Sequence, residues 1–252
     1  MNILELAGLR KQFGELVAVD DIELSIEEGE IRGLIGPNGS GKTTLFNLIT
    51  GFIRPTRGKV IWQGHDITAQ SPHAIAKKGL ARTFQLTTLF KDMTALQNVV
   101  IACHLHTETG LSQQFLRTAR TRNKERAIEE KAMGLLETMA IADVKDEIAG
   151  ELPHGHQRAL GIAIALATEP KLLLLDEPVT GMNPIETRET MDRIRMLRDR
   201  GVTILLVEHD MRAVMTTCEK ITVMNFGKKI AEGIPEEVSK HEEVIEAYLG
   251  KG

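Results

Sequence analysis

The sequence predicts an α/β fold in which a mostly parallel sheet carries an inserted helical lobe. Two observations predict the sheet: residues 172–175 and 202–207 are short, continuous apolar runs, and helical stretches follow them at about 184–198 and 210–218. A third observation predicts the lobe, because residues from about 86 to about 159 show helical spacing and almost no strand signal. A chain of 252 residues is long enough for one large domain with such a lobe.

The remaining strands are predicted in the N-terminal third of the chain. Residues 1–35 read as strands joined by turns, and residues 31–35 run directly into a glycine-rich turn. A helix is predicted over 42–50, and another at about 72–78 precedes a short strand that ends near residues 84–85. Strand and helix thus alternate on both sides of the lobe, which is typical of an α/β layer architecture.

Inside the lobe, one stretch has the pattern of an amphipathic helix. Charged residues cover one face between residues 124 and 131. Apolar residues recur every three to four positions on the other face, as a helix that packs on a core requires. They are Ala127, Ile128, Ala132, Leu135, Leu136 and Met139.

Composition and charge argue against several classes of protein. The net charge of -4 disfavours a nucleic-acid partner, and we interpret the basic cluster between residues 117 and 126 as a solvated helical face. No apolar run approaches the roughly 20 residues that a membrane-spanning helix needs, and the N-terminus lacks the pattern of a signal peptide. We therefore expect a cytoplasmic protein that reaches any membrane through a partner. Cys103 and Cys218 lack CxxC spacing, which predicts buried free thiols.

A glycine-rich loop between a predicted strand and a predicted helix fits the phosphate-binding pattern G-x-x-x-x-G-K-[ST]. Glycines let the backbone approach a phosphate closely, and successive N–H groups together with the helix N-terminus supply positive potential. In this pattern Lys42 supplies a charge to the β- and γ-phosphates of ATP, and Thr43 offers its hydroxyl to Mg²⁺. The loop consists of Gly36, Pro37, Asn38, Gly39, Ser40, Gly41, Lys42, Thr43 and Thr44.

Two acidic residues follow the apolar run at 172–175. Ligands of open α/β sheets collect at the carboxyl ends of the strands, so Asp176 and Glu177 are expected at such a site. Asp176 would reach the Mg²⁺ shell, and Glu177 would act as the general base on the attacking water. An ordinary solvated acidic turn is the alternative, and the phosphate loop in the same chain disfavours it.

Four further features occur in a set order and spacing. They are Gln85 within 82–85, the segment 152–158, the segment 181–184, and His209 within 207–210. They resemble the glutamine loop, the signature, the D-loop and the switch histidine of ABC ATPases. The resemblance covers nearly the whole chain. It implies a P-loop NTPase core with a mostly parallel sheet, an antiparallel β part and a helical lobe at about 86–159.

Other segments are similar to one branch of that family, the ATPases of high-affinity branched-chain amino-acid uptake systems. They are residues 81–85, the basic insert after Gly110, and residues 226–233 and 246–250. The resemblance implies a subunit that couples MgATP hydrolysis to uptake of branched-chain or related amino acids. An ABC ATPase for another cargo, such as a lipid exporter, stays open. A non-transport ABC ATPase is disfavoured, because the chain has one phosphate loop and no sustained heptads.

The resemblance also implies roles for single residues. Gln85 would lie near Mg²⁺ and the attacking water, His209 would contact the γ-phosphate, and Phe13 would stack on adenine through its π-face. Each has a plainer alternative: Gln85 as a residue capping a strand, His209 as a polar residue at a helix start, and Phe13 as a core aromatic.

The implied partners follow from the same resemblance. ABC ATPases work as head-to-tail dimers, in which residues 152–156 of one subunit close over ATP held by the other. The second subunit is a copy of this chain or a paralogue, since the branch pairs two different ATPase chains. Transmembrane permease subunits would dock around residues 86–92, and a periplasmic or extracellular binding protein would take part indirectly. The expected location is the cytoplasmic face of the membrane.

The signature departs from the common Leu-Ser-Gly-Gly-Gln. Proline in place of serine removes a hydroxyl donor, but backbone N–H groups from Gly155 onward and a helix predicted to start near Gln157 keep an anion site. The five residues are Leu152, Pro153, His154, Gly155 and His156.

Overall fold

The computed structural model describes residues 1–83, 89–106 and 119–249. In these ranges the strands are β1 (Asn2–Phe13), β2 (Leu16–Glu27), β3 (Ile31–Ile35), β4 (Arg57–Trp62), β5 (His65–Asp66), β6 (Leu80–Arg82), β7 (Leu172–Asp176), β8 (Thr203–Val207), β9 (Lys220–Asn225) and β10 (Lys228–Gly233). The helices are α1 (Lys42–Ile49), α2 (Pro72–Ala76), α3 (Ala95–His106), α4 (Ala119–Thr138), α5 (His154–Leu166), α6 (Pro184–Asp199), α7 (Met211–Thr217), α8 (Pro235–Val238) and α9 (Glu242–Leu249).

The strands form two sheets. One has the order β2-β1-β4-β5 and is antiparallel, and the other has the order β10-β9-β3-β8-β7-β6. In the second sheet the pair β9–β10 is antiparallel, while β9, β3, β8, β7 and β6 run parallel. The carboxyl ends of these parallel strands therefore meet at one edge, where ligands of α/β sheets collect.

Both faces of the parallel sheet are covered, which explains the continuous apolar runs in its strands. Along β7, Leu172 and Leu174 pack with the antiparallel sheet and α1 in one core cluster. Leu173 and Leu175 point to the opposite face and join a second cluster with the lobe helices. Side chains alternate because successive residues of a strand point to opposite faces.

The helices α3, α4 and α5 pack on one another in the predicted lobe, and α5 also contacts β6 and β7. Backbone bonds close the stem of this region, with Ala149 N–H donating to Met93 O at 2.9 Å and Ala95 N–H donating to Glu147 O at 3.0 Å. On the predicted apolar face, Ala132 and Leu136 of α4 and Met139 just after it are buried. Ala127, predicted on the same face, is exposed, so that part of the prediction is wrong. The limits 86–159 stay a proposal.

One helix start was predicted wrongly. Helix α5 begins at His154, three residues before the expected start near Gln157. Pro153 stands at its N-cap with φ −54° and ψ 149°, and a proline at this position needs no hydrogen-bond partner for a backbone N–H. The first helical turn can therefore follow Pro153 directly.

Two smaller expectations concern cysteines and membrane spans. Cys103 and Cys218 are buried thiols outside any disulfide among the described residues, and burial raises the pKa of the Cys218 thiol to about 12. In the part of the chain that the structure describes, none of the helices combines the length and apolar character that crossing a bilayer requires.

Candidate nucleotide site

The carboxyl edge of the parallel sheet gathers most of the residues that the sequence singles out. The loop 36–44 follows β3, Asp176 ends β7 with Glu177 next to it, and His209 follows β8. The strand β6 also ends at this edge. Residues 84–88, which include Gln85, lie outside the described part of the chain. Three neighbouring strands, β3, β8 and β7, thus deliver polar groups to one place.

Close packing of the backbone explains why two positions of the phosphate loop, Gly36 and Gly41, have no room for a side chain. A Cβ at Gly36 would lie 2.1 Å from the carbonyl oxygen of Met224, and a Cβ at Gly41 would lie 2.4 Å from that of Ala18. Gly41, with φ +104°, is the N-cap of α1, and no side chain of the described residues caps this helix. The N–H groups of its first turn therefore suit an anionic ligand such as a phosphate.

The phosphate-loop pattern predicts a solvated charge at Lys42, and this prediction is wrong, because the residue is only 7% exposed. Its Nζ donates to the carbonyl oxygens of Gly36 at 2.7 Å and Pro37 at 3.0 Å, so the side chain spans the inside of the loop. Burial lowers the pKa of Lys42, while the carboxylates of Glu177 and Asp176 act in the opposite direction. A phosphate in this loop would give the buried cation a further partner.

The predicted Mg²⁺ ligands supply hard oxygen donors. Thr43 is exposed in the first turn of α1, and Asp176 ends β7. In the described ranges no group of three or more His, Cys, Asp or Glu side chains could hold a metal ion. The two oxygen donors Thr43 and Asp176 suit Mg²⁺, because Mg²⁺ at a nucleotide site is usually held by one or two protein groups plus phosphates and waters.

The structure brings Glu177 and His209 together. The Nε2 atom of His209 lies 2.5 Å from Oε1 of Glu177. Glu177 has φ +52°, a conformation that costs energy in a residue with a side chain, and its N–H donates to Val207 O at 2.9 Å. Backbone strain of this kind clusters at functional sites. The strand β8 thus holds the backbone of Glu177 through Val207, and His209, two residues beyond the strand, holds its carboxylate.

Phe13 stands at the end of β1, away from the core, and 47% of its surface is exposed. The ammonium of Lys11 lies 4.8 Å from the centre of the ring. Exposure contradicts the plainer alternative of a core aromatic, and it leaves the ring able to stack on a base.

The signature begins the helix α5 in the lobe. Leu152 is buried, whereas Pro153 and His154 are exposed next to the uncapped N-terminus of α5. The amide of Gln157 donates to Leu152 O at 2.8 Å, which fixes the backbone just before the helix. Exposed N–H groups at a helix N-terminus suit an anion, as the sequence predicted for this segment.

Sequence reasoning missed three residues that organise the site. Arg158 of α5 donates from its guanidinium to the backbone oxygen of Glu177, which links the signature helix to the predicted base. Glu208 is buried and accepts from Val179 N–H at 2.8 Å and from His209 N–H at 3.0 Å. Burial raises the pKa of the Glu208 carboxyl, and these backbone bonds oppose the rise. Arg82, the third, bonds Asp176 at 2.7 Å.

Comparison with known proteins places this site in a family. Residues 19–180, more than half of the chain, match the family described as "ABC transporter". This chain belongs to the ABC transporter family. In addition, residues 228–252 of the ABC ATPase match the family described as "Branched-chain amino acid ATP-binding cassette transporter".

Similar proteins span the full length of the ABC ATPase. It is 43% identical over 250 residues to the "High-affinity branched-chain amino acid transport ATP-binding protein BraF" of Pseudomonas aeruginosa, covering 99% of this chain and 98% of that protein. It is 40% identical over 250 residues to the corresponding protein LivG of Escherichia coli (strain K12), with coverage of 99% and 98%.

Solved structures agree with these relatives. A nucleotide-free ATP-binding cassette from an ABC transporter is 34% identical and superposes with a TM-score of 0.87, covering 100% of both chains. The ADP conformation of an ATP-binding cassette is 33% identical, with a TM-score of 0.86 and the same coverage. The predicted family, its branched-chain amino-acid branch and the fold class are confirmed. The protein is an ATP-binding ATPase, and the roles of single residues stay predictions.

Replacing Phe13 with alanine tests the predicted adenine contact. We expect ATP affinity to fall by about 5- to 150-fold, because stacking of a base on an aromatic ring is worth about 1–3 kcal/mol. Phe13→Tyr keeps the ring and should bind as the wild type does. Titration calorimetry with ATP measures both variants. Inorganic triphosphate is the control ligand: it has no base, so an equal loss of its affinity would contradict stacking.

Proposed function

We propose that this ABC ATPase is the ATP-hydrolysing subunit of an importer and couples MgATP hydrolysis to uptake of branched-chain or related amino acids. The observation that carries this proposal is the similarity of the C-terminal residues 228–252 to the branched-chain amino-acid cassette family, in addition to the match over residues 19–180. The named relatives, described as branched-chain amino-acid transport proteins, align over 98% of their own length.

In the proposed mechanism the loop 36–44 holds the phosphates. Its N–H groups and the Lys42 ammonium face the negative charge, and Phe13 orients the adenine. Thr43 and Asp176, with Gln85, would hold Mg²⁺, which neutralises phosphate charge when it is bound. In this proposal the γ-phosphate would lie at the carboxyl edge of the sheet, next to Glu177.

Glu177 would then accept a proton from the attacking water. In the structure its Oε1 contacts His209 at 2.5 Å, and the hydroxyl of Thr180 donates to its Oε2 at 3.4 Å. We propose that His209 moves from Glu177 to the γ-phosphate when ATP binds, which frees Oε1 to act as the base. Until ATP binds, the contact with His209 would keep Oε1 of Glu177 from accepting a proton from water.

A complete site is proposed to need a second ATPase subunit, either a copy of this chain or a paralogue. In the head-to-tail arrangement, residues 152–156 of one subunit cover ATP bound to the loop of the other. The uncapped N-terminus of α5 supports this role, because its N–H groups can face the γ-phosphate. Arg158 connects that helix to Glu177 of its own subunit, so both sites of a dimer would be coupled.

Transmembrane permease subunits are the proposed membrane partners, and a periplasmic or extracellular binding protein would deliver the cargo to them. With these partners the ABC ATPase would lie at the cytoplasmic face of the membrane as a peripheral subunit. The docking region proposed around residues 86–92 includes Phe90, of which 52% is exposed. Its exposed ring would give a permease subunit an apolar group to bury on docking.

Uptake in cells tests the cargo. Deleting the gene should lower the uptake of labelled leucine, isoleucine and valine. The wild-type gene should restore uptake, and a gene carrying Glu177→Gln should not. Labelled lysine, which is a cationic amino acid, serves as the control and should enter at an unchanged rate. Unchanged uptake of all three branched-chain amino acids after deletion would contradict the proposed cargo.

Replacing Phe90 with serine tests the proposed docking region. ATP hydrolysis by the isolated chain should stay within roughly twofold, because exposed substitutions away from a site usually cost under about 0.5 kcal/mol. Transport in membranes should fall. Met196→Ser on α6, where 47% of the side chain is exposed, is the matched control and should affect neither activity. A parallel loss of hydrolysis and transport in Phe90→Ser would instead indicate a folding or catalytic role.

A further inference from the structure

Arg82 lies at the end of β6 with a side chain that is only 7% exposed. One arm of its guanidinium donates to Oδ2 of Asp176 at 2.7 Å, and the other arm donates to Oδ1 of Asn47 at 2.6 Å. The guanidinium carbon also lies 5.3 Å from the centre of the buried Phe46 ring. A single side chain therefore ties the end of β7 to the helix α1.

The two tied elements carry the two predicted Mg²⁺ ligands that the structure describes. Asp176 is bonded to Arg82 directly, and Asn47 follows Thr43 by four residues, which is about one turn along the same face of α1. We propose that Arg82 is a positioning residue that sets the separation between the Asp176 carboxylate and the Thr43 hydroxyl. This inference rests on the proposed function, since it assumes that these two groups hold Mg²⁺.

The bridge is expected to persist when MgATP binds. Removing one partner of a buried ion pair leaves an uncompensated charge, which is strongly destabilising. A carboxylate accepts hydrogen bonds or metal contacts at both oxygens, so the bond at Oδ2 leaves Oδ1 able to face the metal. Arg82 thus orients the carboxylate and does not compete for it.

Arginine suits this position better than lysine. Its planar fork offers donors in fixed directions, and one guanidinium can reach two acceptors while it stacks on an aromatic ring. A lysine would keep the positive charge beside Asp176 but lose the rigid connection to Asn47. If the bridge sets metal geometry, Arg82→Lys should damage Mg²⁺ binding even though the local charge is unchanged.

The experiment measures nucleotide affinity with and without Mg²⁺ in Arg82→Lys and Asn47→Leu. A fluorescent ATP analogue is titrated first in excess EDTA and then at stepwise Mg²⁺ concentrations. We expect the half-saturating Mg²⁺ concentration to rise by about 10- to 100-fold in Arg82→Lys, the usual effect of losing a group that orients a metal ligand. Asn47→Leu should raise it in the same direction. Affinity in EDTA should stay within roughly twofold of the wild type, because the phosphate loop is unchanged.

Matched controls separate positioning from stability. Arg57→Lys makes the same change in an exposed ion pair with Asp21, where the side chains are 64% exposed, and should leave the Mg²⁺ requirement unchanged. Asn47→Leu preserves the Arg82–Asp176 pair, so it tests the bridge if Arg82→Lys fails to fold. If folded Asn47→Leu and folded Arg82→Lys both need the same Mg²⁺ concentration as the wild type, the inference about Arg82 is overturned, while the proposed metal site still stands. Absence of any Mg²⁺ effect on wild-type nucleotide binding would overturn the proposed metal site, and the inference with it.

Discussion

Glu177→Gln is expected to lower ATP hydrolysis by roughly 10²- to 10⁴-fold, the usual contribution of a general base. Glutamine keeps the shape and the contacts of the side chain but cannot accept the proton of the attacking water. ATP should still bind, because Lys42, Thr43 and Asp176 are unchanged. Phosphate release and nucleotide affinity, measured on the same preparation, check both parts.

Glu236→Gln is the matched control, since Glu236 is exposed on α8, outside the candidate site. It should hydrolyse ATP at the wild-type rate. If Glu177→Gln hydrolyses ATP within roughly threefold of the wild-type rate, the loss of rate is smaller than the loss of a general base causes, and the role of Glu177 is contradicted.

The Glu177→Gln variant is also expected to form a dimer when ATP is bound. Uncleaved ATP would hold two subunits together, because each γ-phosphate contacts the loop of one subunit and the signature of the other. Without nucleotide we expect mostly monomers, since two subunits of net charge -4 have little electrostatic reason to associate. Sedimentation of Glu177→Gln with and without MgATP should show an ATP-dependent doubling of mass. Replacing His154 and Gly155 with glutamate should abolish the doubling.

Sedimentation can also contradict the head-to-tail arrangement. If the natural mate is a paralogue, the sedimentation experiment is repeated with that chain present. Monomers under every condition, including ATP with the paralogue, would contradict the arrangement.

Lys42→Ala has the second largest expected effect. Hydrogen bonds to a charged group contribute about 1.5–3 kcal/mol, so loss of the ammonium should weaken ATP binding by about 10- to 150-fold. The structure adds a second consequence, because the carbonyl oxygens of Gly36 and Pro37 lose their contact with Nζ. Titration calorimetry with MgATP measures the affinity, and circular dichroism checks that the fold survives.

Lys59→Ala is the control for this substitution. Lys59 lies on β4 with 65% of its side chain exposed, in an ion pair with Asp66 at 3.6 Å. Surface ion pairs contribute about 0–1 kcal/mol to stability, and Lys59 does not belong to the phosphate loop, so its loss should not alter ATP affinity. Equal affinity of Lys42→Ala and the wild type for MgATP would contradict the assignment of the loop.

The sequence by itself determined the fold class, the family and the positions of the motifs of the ATPase. These depend on short-range patterns: apolar runs at β7 and β8, a glycine loop between β3 and α1, and acids that follow a strand. Each pattern involves residues that are close in sequence, because strand and helix periodicity and the spacing of a phosphate loop are local properties. The confirmed branch likewise rests on contiguous segments.

Only the tertiary structure decided how these segments meet. Arg82 contacts Asp176, 94 positions away, and Asn47, 35 positions away, while Arg158 reaches the backbone of Glu177 from another element. The burial of Lys42 similarly depends on how its loop folds around it, which the motif alone does not specify. Such contacts depend on strand order and on helix packing. No local pattern encodes them, because side chains distant in sequence become neighbours only when the sheet assembles.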